Sequence, residues 1–285
     1  MPGDNVFNLI TSEYYQLTSR EKNLASFIMA NGQQAQKMSI SELSEACSIA
    51  CSTISRFCRK MGYEGYSEFR LALASATATR PGYNASLSGE IASEDTVKTI
   101  ADKLAVAEVD AINETKALIR PHDLQKAADL LQRSEKVLCM GQGASMLMAE
   151  EAAHLFTTVF PGFFPVSDSH MQIIAASNLT ERDAVLYFSY SGSTKDLQDI
   201  LRLAHSRKAK VLLITRFPRS PGAEKADQVL QCGYAESPLQ LGSMTARIAQ
   251  LYLVDVLFSE MCRRDLERCR QKREQVAEAL SDKHI

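Results

Sequence analysis

The sequence predicts two folded units in series: a small all-α unit, then an α/β unit built on a doubly wound parallel sheet. Three observations carry this. Short helical patterns with start and stop signals fill the residues up to Ser75. The stretch ASATATRPGYNASLSGEIASED (74–95) then changes character, rich in Ala, Ser, Thr and Gly and poor in apolar periodicity. After it, unalternated apolar runs alternate with helical ones, the pattern of parallel strands buried on both faces. The expected boundaries are 1–78 for the first unit, 79–94 for a linker and 95–285 for the second.

In the first unit, Thr18 and Ser19 followed by Glu21 predict a capped helix with Leu24, Phe27 and Ile28 on its apolar face, ended at Asn31-Gly32. Ser39, with Glu42 three residues on, opens a short helix through Leu43, Ala46 and Cys47. Ser48-Ile49-Ala50 reads as a tight turn. Cys51 to Met61 forms the next helix, closed by Gly62, and Tyr63 to Ala74 forms another. In the second unit, helices are expected over 96–119 and 121–133. Strands are expected over 136–140 (KVLCM), 183–189 (DAVLYFS), 210–215 (KVLLIT) and 227–232 (DQVLQC). Helices run to Phe160, to Arg207 and from 243 to 262, and a charged helix ends the chain.

Composition narrows the function classes. The 285 residues are 45% hydrophobic and 23% charged, with a net charge of −2, which excludes disorder as the dominant state. No apolar run approaches the ~20 residues of a membrane-spanning helix, and no leader pattern is visible at MPGDNVFNLI. Seven scattered cysteines without a CxxC pair suit reduced thiols in a cytoplasm, not a disulfide framework or a zinc site. Neither a cofactor nor a metal is expected.

The charge average hides a local signal. Residues 1–78 hold seven basic and seven acidic side chains, yet from Ala46 to Tyr63 there are three cations and no acid. Helices 39–47 and 51–61, joined by three residues, have helix-turn-helix proportions. Leu43, Cys47, Ile49, Ile54, Phe57, Cys58 and Met61 fall where crossed helices bury them, and Ser44 is small where they approach. Ser52, Thr53, Ser55, Arg56, Arg59 and Lys60 are left outside, the hydroxyls and cations that phosphates and base edges require. The plainer alternative is a helical hairpin with a solvated face. Cys47 and Cys51, four apart without neighbouring ligands, make a poor metal or redox pair.

Two loops stand where an open α/β sheet binds ligands, beyond the carboxyl ends of strands. Gly141-Gln142-Gly143-Ala144-Ser145 lacks the dinucleotide fingerprint. Ser189-Tyr190-Ser191-Gly192-Ser193-Thr194, with Lys195 its one nearby cation, gathers hydroxyls and backbone N–H groups at a helix start, where the dipole favours an anion. Ordinary helix capping is the alternative for either loop. His170, in Asp168-Ser169-His170, reads as structural. Glu236 reads as a solvated loop glutamate, a sugar contact or a proton-transfer base.

These stretches resemble the RpiR-type bacterial transcription regulators, which join an N-terminal helix-turn-helix domain to a sugar isomerase (SIS) domain. The resemblance rests on CSTISRFCRKMGYEGYSEF (51–69), GQGAS (141–145), DSHMQ (168–172), NLTERDAVLYFSYSGSTKD (178–196), KAKVLLIT (208–215) and ARIAQLYLVD (246–255). It implies a flavodoxin-like SIS fold and places Thr53, Ser55 and Arg56 on a DNA-reading helix. It places Ser145, Ser189, Ser191 and Thr194 at phosphosugar-binding positions, within loops that also contain Gly143, Gly192 and Ser193. Glu236 falls where SIS isomerases keep a catalytic glutamate. Gly222, where the family usually has Leu, implies a looser loop over 219–227.

The expected partners are therefore palindromic operator DNA and a phosphorylated sugar, bound by a homodimer or homotetramer that is not an enzyme. The rivals are a sugar-phosphate isomerase with Glu236 as base and a sensor that regulates a protein partner.

Overall fold

The computed structural model describes residues 6–14, 17–78, 91–233 and 244–281. They form two compact units, one up to Ala107 and one from Glu108. The first holds α1 (Val6–Glu13), α2 (Ser19–Ala30), α3 (Gly32–Ala35), α4 (Ile40–Cys47), α5 (Cys51–Lys60) and α6 (Tyr66–Ala78). The helix α7 (Val97–Leu118) begins among its residues and ends in the second unit.

Both expected start signals are complete capping boxes. Thr18 and Glu21 bond each other's backbone N–H groups at the start of α2, and Ser39 and Glu42 do so at α4. All seven apolar positions expected between the crossed helices are buried. Ile54 and Phe57 of α5 are wholly inaccessible, and burying each contributes about 1.5–3 kcal/mol. Phe69 of α6 closes this core edge-on against Phe57 and Tyr63. Between α4 and α5, Ser48 takes the left-handed conformation (φ 54°, ψ 44°) that glycine usually supplies. The Ser44 hydroxyl donates to the Ile49 carbonyl across that turn, and Asn23 of α2 donates to the Cys47 carbonyl (3.0 Å). The turn is thus held by polar bonds from two helices.

The second unit continues with α8 (Pro121–Arg133), β1 (Lys136–Gly141), α9 (Ala144–Thr157), β2 (Phe163–Pro165), α10 (Ser169–Ser177) and β3 (Asp183–Phe188). It ends with α11 (Lys195–Ser206), β4 (Lys210–Thr215), β5 (Gln228–Gln231), α12 (Met244–Arg263) and α13 (Leu266–Ser281). The strands form one parallel sheet in the order β2-β1-β3-β4-β5, the flavodoxin-like doubly wound order.

Strand alternation sorts its two faces. Val137, Cys139, Leu186 and Ile214 pack with α8, α9 and α12, whereas Leu138, Met140, Tyr187 and Leu213 pack with α10 and α11. Both faces are covered, which is why these strands read as unbroken apolar runs. The strand β2 lies outside the sequence expectation: three residues ending in proline, two of them exposed at the sheet edge, carry no periodic signal.

Candidate functional site

On α5 the exposed stripe consists of Ser52, Arg56 and Arg59, with Ser55 half-buried beside it. At about 100° per residue these four fall within one arc opposite Ile54, Phe57 and Cys58. Thr53 departs from the expectation: it is only 8% exposed. It lies seven residues from Lys60 along one edge of the helix, bordering the buried face. Lys60, on the same edge, is turned to Glu21 of α2 at 3.8 Å.

Burial pushes the Glu21 carboxyl up. The Thr18 N–H and hydroxyl and the Lys60 and Arg56 charges outweigh this and hold it below the usual carboxylate range. The local absence of acids in sequence is therefore filled in space by one acid from another helix. The first turn of α5 has no side-chain cap, since Ala50 stands at its N-cap; its Thr53 N–H donates back to the Ala50 carbonyl (2.9 Å).

The two expected loops meet at the adjacent carboxyl ends of β1 and β3, where chain connections leave in opposite directions. Gly143 (φ 56°) begins α9 without a side-chain cap. Gly141 admits no side chain, because a Cβ would stand 2.7 Å from the Ser145 carbonyl oxygen. Ser145 is half-buried in the first turn of α9.

In the second loop, Ser189 is buried, and its hydroxyl accepts from the Gly192 N–H (3.2 Å). The Ser191 hydroxyl accepts from the Ser193 N–H (3.3 Å), and the Ser193 hydroxyl donates back to the Ser191 carbonyl (3.1 Å). Thr194 begins α11, again with no side-chain cap bond. By contrast, α2, α4 and α10 are capped by Thr18, Ser39 and Asp168. Helices α9 and α11 thus both start without a side-chain cap at the same end of the sheet, although in α9 the Ser145 and Met146 N–H groups donate back to the Gln142 and Gly143 carbonyls (3.1 and 3.0 Å).

Beneath this loop the hydroxyls of Tyr187 and Thr194 are buried, each without a hydrogen bond of normal geometry. Burial, with the Asp196 charge adding to it, pushes the Tyr187 phenol up to about 12. Gln172, absent from the expected site residues, braces the first loop. Only 1% exposed, it donates to the Gly141 and Val166 carbonyls (3.0 and 2.8 Å) and accepts from the Gln142 amide (2.9 Å). Its only sequence signal is its place at the end of DSHMQ. His170 is exposed.

The 219–227 loop is not loose. Gly222 donates to the Gly192 carbonyl (2.8 Å), and a Cβ there would stand 2.6 Å from that oxygen and 2.4 Å from a Leu197 methyl. A leucine has no room, and the close approach ties this loop to the 189–194 loop. Glu236 lies outside the described residues. The seven cysteines form no disulfide, and among the described residues no group of His, Cys, Asp and Glu is gathered for a metal ion. Among them, too, no helix is long and apolar enough to cross a membrane.

A helix-turn-helix unit joined to a doubly wound parallel-sheet unit is the build of a class of transcription regulators. The family models for the helix-turn-helix domain of the rpiR family and for the SIS domain match residues 4–80 and 130–260. An HTH-type transcriptional regulator of Caldanaerobacter subterraneus subsp. tengcongensis is 30% identical over 281 residues, 99% of each chain. The HTH-type transcriptional regulator HexR of Pseudomonas aeruginosa is 30% identical over 253 residues, 89% of this chain and 87% of that one.

Among solved structures, the Vibrio vulnificus NanR protein complexed with ManNAc-6P is 26% identical. It superposes with a TM-score of 0.62 over 98% of both chains. The chain belongs to the RpiR family and is a transcriptional regulator with helix-turn-helix and SIS domains. The relatives are regulators by name, which bears out the expectation of a regulator over an isomerase.

Proposed function

We propose that this regulator binds operator DNA through Ser52, Ser55, Arg56 and Arg59 and the uncapped first turn of α5, with Thr53 and Lys60 at the edge of that face. A phosphorylated sugar held by Gly143, Ser145 and the 189–194 loop controls its operator affinity. The observation that carries the second part is the convergence of two uncapped helix starts, α9 and α11, beside buried unpartnered hydroxyls at the sheet's switch point. Backbone N–H groups hold the phosphate there, and the loop hydroxyls of Ser189, Ser191, Ser193 and Thr194 meet phosphate or sugar oxygens.

The NanR protein's complex with ManNAc-6P supports a sugar phosphate as the ligand class. A two-fold assembly of this chain reads a palindromic operator, its half-sites about 10 bp apart or a multiple of that. Ligand binding changes operator affinity only as far as the sugar favours one arrangement of the protein over another.

The test is a mobility shift with the duplex upstream of this gene, at moderate salt, with and without ManNAc-6P and hexose 6-phosphates. A specific shift that a sugar phosphate alters is expected; no specific binding under any condition refutes the reading. Arg56→Ala weakens operator binding by about 1–3 kcal/mol while leaving the sugar-phosphate Kd, read by calorimetry, in place.

A further inference from the structure

We infer that Arg216 is a positioning residue that couples the 189–194 loop to α7 through its ion pair with Glu114. This rests on the proposed ligand reading of that loop.

Arg216 follows the carboxyl end of β4, and its side chain is only 6% exposed. A buried guanidinium requires a counter-charge, and Glu114 of α7 supplies one at 2.7 Å. The peptide groups around it are fastened on both sides. The Arg216 N–H and the Thr215 hydroxyl both donate to the Tyr190 carbonyl (3.1 Å each), and the Gln231 amide donates to the Arg216 carbonyl (3.0 Å). The Phe217 ring packs edge-on against Tyr190. One residue therefore holds the ligand loop by its backbone and α7 by its side chain.

A second attachment reaches the next residue of the helix. The Gly233 N–H donates to the Thr115 hydroxyl (2.9 Å), which itself donates to the Ala111 carbonyl (2.6 Å). A Cβ at Gly233 would stand 2.4 Å from the Thr115 nitrogen, so backbone meets backbone there. The Cys232 N–H donates to the Thr215 carbonyl (3.0 Å). The ends of β4 and β5 are thus fixed to neighbouring residues of α7. Among the described elements, α7 alone has residues in both units. A ligand that draws in the Tyr190 peptide displaces the Arg216 backbone, and the short ion pair, buried on its Arg216 side, passes that displacement to Glu114.

The test compares Glu114→Gln with wild type in the full chain. Calorimetry gives the Kd of whichever of ManNAc-6P, glucose 6-phosphate and fructose 6-phosphate binds wild type most tightly. Anisotropy gives affinity for the upstream duplex with and without that sugar. Glu114→Gln is expected to keep both separate affinities within about threefold and to cut the sugar-induced change in DNA affinity about three- to tenfold. Arg216→Lys, which keeps the charge and loses the planar fork, shows a smaller loss in the same direction.

Glu135→Gln, which removes the exposed Arg182–Glu135 pair at the amino end of the sheet, leaves the response at the wild-type level. An unchanged response in Glu114→Gln, or an equal loss in Glu135→Gln, overturns the inference. If none of the three sugars binds wild type, the ligand reading fails by itself, and hydrogen exchange without ligand decides the coupling. Faster exchange in Glu114→Gln over both 110–118 and 189–194, with 136–150 unchanged, supports it; a change confined to 110–118 overturns it.

Discussion

The Lys60 ammonium stands 3.8 Å from the Glu21 carboxylate, so a cation at the end of α5 is partly neutralised by the residue that caps α2. Glu21 is shielded from water while Lys60 stays exposed, and the pair lies at the edge of the proposed DNA face. Glu21→Gln keeps an oxygen for the Thr18 N–H and releases Lys60 to phosphate. DNA affinity is expected to rise, and the slope of log K against log salt to steepen by about 0.9, one additional phosphate contact. A salt titration of anisotropy on a non-specific duplex reads this directly. An unchanged slope would mean that Lys60 stays away from the backbone.

Ser48 carries the cost of a left-handed backbone without glycine's freedom (φ 54°, ψ 44°). Its side chain is exposed and forms no cap bond, so Ser48→Gly relieves strain and sacrifices little. The first unit should gain about 0.5–1 kcal/mol, read as a higher urea midpoint with an unchanged m value. Loss of stability would show that the greater freedom of glycine in the unfolded chain outweighs the strain.

What sequence could reveal here depended on whether a residue's role is local. The capping boxes at Thr18 and Ser39 involve residues three apart, and both were legible. The strands β1, β3 and β4 were legible because covering both faces demands unbroken apolar runs. Thr53 and Lys60 border the buried arc of α5, and only the packing of the neighbouring helices settles which side they join. Glu21 lies 39 residues from Lys60, so a window free of acids could not reveal it. Gln172 lies 31 residues from the Gly141 carbonyl that it supports, a contact that sheet order creates and no spacing announces. Gly222 looked like a missing leucine because its reason for being small, the Gly192 carbonyl, belongs to another loop.

Gly192 sits at φ 61°, and a Cβ there would fall 1.9 Å from the Ser220 hydroxyl oxygen. Gly192→Ala must therefore displace the ligand loop or the 219–227 loop, and sugar-phosphate binding by calorimetry should vanish. Ser189→Ala and Ser191→Ala are milder, each removing the acceptor for one loop N–H. Each should weaken sugar binding about fivefold, matching the ~1 kcal/mol net worth of a hydrogen bond, and leave DNA affinity without sugar unchanged. Wild-type sugar affinity in both serine variants would place the ligand elsewhere.

Asp227, just before the neighbouring β5, holds the start of β4 at the amino end of the sheet. Its carboxylate accepts from Lys210 (2.8 Å) and from the Val211 N–H (2.9 Å) and lies 3.3 Å from His205. Burial pushes its carboxyl up, but the Lys210 and Val211 bonds and the Lys210 and His205 charges prevail and hold it below the usual range. A carboxyl depressed in the folded state contributes its full stability above its unfolded pKa of about 3.9 and loses it as pH falls through the folded value. Asp227→Asn should therefore cost about 1 kcal/mol at pH 7, and the gap to wild type should close as pH drops below about 4. Urea unfolding of both proteins from pH 7 to pH 3 measures the gap, and a gap as wide at pH 3 as at pH 7 would mean the carboxylate's charge contributes nothing.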